Sequence, residues 1–259
     1  MECRIDGVLV SYIEHGDGTP LVALHGAGVD HREIEAALEA VIPATGYRRI
    51  YPDLPGMGRS TASGLSSNTD VITLLSTFLD QLGAGPVLLV GHSYGAYIAR
   101  GLAAANPDGV LGLALICPLA EHGQGVPDHR AIRQDPDAYD DLPLEHRAGF
   151  DEYFVVRTRE TARRYLHHVV PGTTLAAEAD LERIFSGWPV DVGSGAFPAP
   201  TLIVAGRCDS VVGYADATEL LDRYPHASLA VVDDAGHALI HERPELFGAL
   251  IGDWLERTS

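Results

Sequence analysis

The 259-residue sequence contains no lysine: all 18 of its basic residues are arginine, set against 36 Asp and Glu. That absence removes every mechanism built on a lysine amine, the Schiff base and the Ser–Lys dyad included. The net charge of −18 repels phosphate backbones and anionic lipid, which argues against nucleic acid or membrane as a partner and leaves a small molecule. Cysteine is also scarce. Cys3, Cys117 and Cys208 are too few and too scattered for a disulfide framework or a Cys-rich zinc site, and an odd count fits reduced thiols in a cytoplasmic setting. The opening stretch MECRIDGVLV lacks the apolar centre of a signal peptide. The longest mostly apolar run, Val110 to Ala120, falls far short of the ~20 residues that span a bilayer. Nothing in the pattern predicts oligomeric state.

What is present is a regular alternation. Strand-like runs at 8–13, 20–26, 48–53, 85–91, 109–118, 200–209 and 227–236 are separated by helical stretches at about 30–42, 68–82, 94–106, 213–223 and 243–257. The middle runs are almost continuously apolar, as strands covered on both faces are in parallel sheets. In the second helix Val71, Leu74, Leu75, Phe78, Leu79 and Leu82 recur at helical spacing, with Asn68 as the expected N-cap. Strands alternating with helices predict a doubly wound α/β sheet. Between Pro118 and Phe197 the rhythm breaks into short helical signals at 128–134, 143–155, 157–169 and 175–186. This predicts a helical insert, 118–196, over one end of a core formed by 1–117 and 197–259. Its dense charge and few hydrophobic anchors suggest a mobile lid that sets specificity.

The sharpest signal is Gly91-His92-Ser93-Tyr94-Gly95, which follows the apolar strand PVLLV and precedes the helical AYIARGLAAA. Gly-x-Ser-x-Gly between strand and helix is a nucleophile elbow. A serine raised on so sharp a turn has strained backbone, and the residues two before and two after it lie against neighbouring main chain. Glycine is required there because a side chain would clash.

With LHGAG at 24–28, DLPGMGRS at 53–60, GRCDS at 206–210 and DDAGHALIHERPELF at 233–247, the chain resembles the α/β-hydrolase superfamily, over nearly its whole length except the insert. It is most similar to small cytosolic bacterial members. The resemblance implies a mostly parallel eight-stranded sheet with a helical cap, and a Ser, acid, His order along the chain. On that order Ser93 is the nucleophile and His237 the base, with His241 as its nearest rival. Asp209 is the expected acid. Glu121, one strand earlier, and Asp233 and Asp234, beside His237, are the weaker choices. The oxyanion donors implied are the backbone amides of Tyr94 and of Ala27, with Gly28 as the alternative. His25 resembles the structural histidine that bonds to backbone.

Other features lead elsewhere or nowhere. Gly56-Met57-Gly58 lacks the third glycine and the helix of a dinucleotide site and reads as a structural loop. His122, His129, His146, His167 and His168 form no HExxH, so no metal and no cofactor are expected. Tyr153, Phe154, Tyr165, Phe185 and Trp188 are candidates either for a pocket lining or for core. Arg157, Arg159, Arg163 and Arg164 read as an exposed helix face, and acidic substrates are disfavoured unless one of them enters the pocket.

Within the superfamily, Ser93 separates the chain from epoxide hydrolases and haloalkane dehalogenases, which carry Asp at the elbow. HGAG differs from the HGGPG of proline iminopeptidases and only partly matches the HGSGPG of ring-cleavage C–C hydrolases. The expected activity is serine hydrolysis of a carboxylic ester, thioester or lactone. Acyl transfer or C–C cleavage on the same triad is the alternative, and ligand binding without catalysis is the alternative from another class.

Overall fold

The computed structural model describes residues 1–119, 125–193 and 195–258; Glu121 and His122 lie outside the described residues. Eight strands form one sheet: β1 (Glu2–Ile5), β2 (Val8–His15), β3 (Gly18–Leu24), β4 (Gly46–Pro52), β5 (Val87–His92), β6 (Val110–Ile116), β9 (Thr201–Gly206) and β10 (Ala227–Val232). Their order is β1-β2-β4-β3-β5-β6-β9-β10. The β1–β2 and β2–β4 pairings are antiparallel and all others are parallel. The chain therefore has the doubly wound, mostly parallel sheet that its sequence pattern predicts.

The uninterrupted apolar strands serve both faces. Successive side chains on a strand point to opposite sides, so Val22 and Leu24 of β3 and Val87 and Leu89 of β5 join one apolar layer. Helices α2 (Asn68–Gln81) and α3 (Tyr94–Ala105) pack there through Val71, Leu75, Phe78 and Ile98. Leu21, Ala23, Leu88 and Val90 face the other way, against Ile34 of α1 (His31–Glu39) and Phe247, Ile251 and Trp254 of α9 (Pro244–Arg257). Between β10 and α9 lies the short α8 (Leu239–Glu242). Among the described residues no helix is long and apolar enough to cross a membrane.

Between β6 and β9 the chain forms α4 (Leu144–Tyr153), α5 (Arg159–Arg164), a π-turn at Tyr165–Val169, α6 (Val170–Thr173) and α7 (Glu178–Ser186). This segment is better anchored than its charge suggests. Phe150 and Phe154, one helical turn apart, are fully buried with Tyr165, Leu142 and Val169, and they pack on Val29 and Ala238 of the sheet-bearing part.

Four expectations are corrected. The first strand, Glu2–Ile5, gave too short and polar a signal to be read. The stretch 128–134 is not helical: β7 (Arg133–Gln134) pairs in parallel with β8 (Val156–Arg157), where extended backbone finds a partner. The stretch 213–223 forms a 3₁₀ helix over Ala215–Asp222 rather than an α-helix. The N-cap of α2 is Ser67, whose hydroxyl accepts from the Asp70 amide at 3.1 Å. Asn68 is instead drawn inside. Its Nδ2 donates to the Trp188 carbonyl at 2.8 Å and its Oδ1 accepts from the Tyr94 hydroxyl at 2.7 Å.

Candidate active site

Strand β5 runs straight into α3 with Ser93 at the junction, at φ 54° and ψ −117°. No side-chain-bearing residue adopts that backbone without strain. The surroundings hold it there. The Ser93 amide donates to the Ile116 carbonyl at 2.8 Å. A Cβ on Gly91 would lie 2.4 Å from the Gly95 carbonyl oxygen, and one on Gly95 would lie 2.1 Å from that of Leu24. Both glycines are thus fixed by contact, as the elbow reading requires.

Ser93, His237 and Asp209 meet. Ser93 Oγ is 2.9 Å from His237 Nε2, and His237 Nδ1 is 2.8 Å from Asp209 Oδ2. With Nδ1–H donating to the carboxylate, Nε2 is left to accept the serine proton. The second oxygen of Asp209 accepts the amides of Val211 (2.9 Å) and Val212 (3.0 Å). Burial alone would raise this carboxyl; His237 and the two amides outweigh it and hold it below the usual carboxylate range. The rivals lie elsewhere. His241, in α8, is buried against Phe154 and His168 and does not line the cavity; burial drives its imidazole down to about 4 and so keeps it neutral. Asp233 and Asp234 are exposed on the turn after β10.

The loop after β3 carries the expected second oxyanion donor. His25 Nε2 accepts the Leu54 amide at 2.9 Å, so its Nδ1–H donates to the Gly26 carbonyl at 2.7 Å, and the imidazole is a backbone brace. The Gly28 amide is turned toward Met57 Sδ at 3.2 Å, whereas Ala27 is exposed in the cavity wall. Tyr94 is the first residue of α3, where an amide has no acceptor within the helix. The Gly56-Met57-Gly58 loop backs the loop after β3 through the contact of Met57 Sδ with the Gly28 amide. Gly58 has φ +55°, and a Cβ there would lie 2.3 Å from Asp53 Cγ.

Above Ser93 lies a cavity of about 370 Å³ whose walls include Gly26, Ala27, Val29, Tyr153, Tyr165 and Val211. Of the aromatic candidates, Tyr153 and Tyr165 line it. Phe154 is core, and Phe185 and Trp188 pack on Tyr94 and Tyr97. Glu152 is in the lining, and among the described residues no arginine is. Arg157 pairs with Asp151, Arg159 and Arg163 with Asp141, and Arg164 with Glu160.

Among the described residues two trios bring possible metal ligands within 4.8 Å of one another: His92, Cys117 and His237, and Asp30, His31 and Asp53. In the first, the ring nitrogens already face protein groups. In the second, Arg32 pairs with Asp30, and His31 and the Arg59 amide bind Asp53.

Glu33, His92 and Asn68 were not singled out by the sequence. His92 occupies a variable position of the elbow motif, Glu33 reads as an ordinary first-turn acid of α1, and Asn68 reads as a cap. No local pattern marks any of them as buried beside Ser93 or Tyr94.

A model described as the alpha/beta hydrolase family matches residues 21–250. A Pseudomonas putida protein named 2-hydroxy-6-oxononadienedioate/2-hydroxy-6-oxononatrienedioate hydrolase 2 is 30% identical over 95% of this chain and 91% of its own. An Acinetobacter baylyi protein named (E)-2-((N-methylformamido)methylene)succinate hydrolase is 26% identical over 95% of this chain and 94% of its own. The crystal structure of an alpha/beta superfamily hydrolase from Oenococcus oeni superposes with a TM-score of 0.89 at 27% identity, covering 96% of both chains.

Proposed function

We propose, since the chain belongs to the alpha/beta hydrolase family, that it hydrolyses an uncharged or cationic carboxylic ester, thioester or lactone through an acyl-enzyme on Ser93. The observation that carries the reading is the unbroken contact from Ser93 Oγ through His237 to Asp209. His237 Nε2 takes the hydroxyl proton as Ser93 attacks the carbonyl carbon, and the imidazolium then gives that proton to the leaving oxygen or sulfur. Asp209 orients the ring and stabilises its cation. The amides of Ala27 and Tyr94 receive the oxyanion. Ala27 is favoured over Gly28 because the Gly28 amide already faces Met57. Water, activated by His237, then releases the acid.

Cleavage of a C–C bond in a diacid is the competing reading, since the names of both relatives specify dicarboxylates. The cavity speaks against that substrate here. Among the described residues it offers Glu152 and no arginine, and the protein around it carries a net charge of −18. A dianion would be desolvated there without a cation to meet it. Acyl transfer uses the same groups and differs only in the acceptor. Residues 118–196, as a cap over 1–117 and 197–259, contribute Tyr153 and Tyr165 to the wall and so set the acyl or alcohol preference. The unpaired thiols Cys3, Cys117 and Cys208 support the cytoplasmic setting.

The test is Ser93→Ala assayed on p-nitrophenyl butyrate. Turnover is expected to vanish while the melting temperature stays near wild type, and a fluorophosphonate is expected to label Ser93 in the wild type only. Retained turnover in the variant would falsify the reading.

A further inference from the structure

We infer that Glu33 and His92 form a buried ion pair that positions His237 through its main-chain carbonyl. The inference rests on His237 being the base.

His92 has two ring nitrogens and two partners. Nε2 lies 3.0 Å from the His237 carbonyl oxygen. A carbonyl can only accept, so Nε2 carries a proton. Nδ1 lies 2.8 Å from Glu33 Oε1, a close charge contact in which the N–H points off the oxygen. Both side chains are inaccessible, His92 at 1% and Glu33 at 0%. A buried carboxylate beside Nδ1 draws a second proton onto the ring, which makes His92 an imidazolium standing between Glu33 and His237.

The neighbouring groups agree. Around Glu33 are His92, His241 of α8, His25 after β3 and the Tyr153 hydroxyl of α4, which donates to the same Oε1 at 3.2 Å. Burial would raise the Glu33 carboxyl, but His92 above all holds it down at about 2. Around His92 are Glu33, Asp209 and His237; burial would strip its charge, and Glu33 above all restores it. Cys117, beside Asp209, is pushed up by burial and stays a neutral thiol.

Stability alone does not explain this arrangement. Glu33 Oε2 is buried with no hydrogen-bond partner, and an ion pair in the core is commonly no better than apolar residues of the same size. What the pair does reach is the base. The His92 and His237 rings are 5.0 Å apart, and Tyr153, held by Glu33, stands edge-on to His237 at 6.0 Å. The pair therefore stands directly beside the ring of the base. One carboxylate thus ties α1, the elbow and α4 to the base.

The experiment is histidine-nitrogen NMR with steady-state kinetics on p-nitrophenyl butyrate. In the wild type both ring nitrogens of His92 are expected to carry protons above the pH at which an ordinary histidine loses one, the direction in which Glu33 pulls. Glu33→Gln is expected to leave only the Nε2 proton, because the Gln amide can donate to a neutral Nδ1 while the link to His237 survives. His92→Asn, which cannot reach the carbonyl, should lower kcat about tenfold with KM within about twofold. A singly protonated His92 in the wild type overturns the inference without any variant having to fold. So does a folded His92→Asn protein that turns over p-nitrophenyl butyrate at the wild-type kcat. The NMR reading needs no turnover, so a wrong ion pair is told apart from a wrong base, which an unlabelled Ser93 would reveal.

Discussion

Glu242 accepts the amide of Gly236, the residue before His237, at 2.6 Å. Its other oxygen accepts the amides of Val155 (2.8 Å) and Val156 (3.0 Å), so one buried carboxylate joins the loop of the base to β8. Burial, against those three donors, pushes its carboxyl up to about 6 from an ordinary 4.5. The folded value exceeds the unfolded one, so ionisation weakens the fold as pH rises through that window and adds nothing further above it. The unfolding free energy of wild type minus that of Glu242→Gln should therefore fall between about pH 4.5 and 6, by about 2 kcal/mol in all. Urea titrations at several pH values measure it, and a difference that rises with pH would contradict the assignment.

At lower pH the sign reverses. Asp53 is raised by burial and lowered more by His31 and the Arg59 amide, to about 2. Glu33 stands at about 2 as well. Both folded values lie below the unfolded ones, so their stabilisation is complete above about pH 4.5 and is lost as pH falls toward 2. Asp53→Asn should lower stability near neutral pH and flatten the acid limb of the stability curve. An acid limb as steep as wild type's would count against the His31–Asp53 contact at 2.6 Å.

Glycines in and near the site should not respond alike. Gly95→Ala puts a Cβ 2.1 Å from main chain and should abolish soluble expression or activity. Gly28 has φ +74° but nothing within 4 Å of a Cβ. Gly28→Ala should lower stability by only about 1 kcal/mol, the penalty of left-handed backbone. Equal effects in thermal melts of the two variants would refute the crowding argument.

Charge on the cavity wall should decide between ester types. Glu152→Arg is expected to raise kcat/KM for p-nitrophenyl esters of a diacid, relative to p-nitrophenyl butyrate, by about tenfold. No change in that ratio would place Glu152 outside the substrate's reach.

Much of this was legible in the chain. Ser93, Asp209 and His237 each stand next to a strand end with a distinctive local pattern, and parallel strands deliver such ends to one edge of the sheet. The helix of α2 was equally plain, since Val71, Leu75 and Phe78 repeat at its period, yet its cap was misplaced by one residue. Asn68 and Ser67 have similar capping chemistry. What separates them is a distant Trp188 carbonyl and a Tyr94 hydroxyl that no local window contains. The segment 128–134 failed for a related reason, because its two-residue pairing with Val156–Arg157 exists only once both are brought together.

The alternation of strands and helices, the elbow and its glycines follow from local sterics and from the period of apolar residues, which are properties of neighbours along the chain. Whether Arg157 or Glu152 faces the cavity, whether Phe154 lines it or fills the core, and which acid meets His92 are settled by contacts between elements far apart in sequence. Glu33 shows the difference most clearly. In the sequence it is one of 36 acidic residues, suited to the first turn of a helix. Packing α1 against the end of β5 removes its water and leaves the imidazole of His92 as its answering charge.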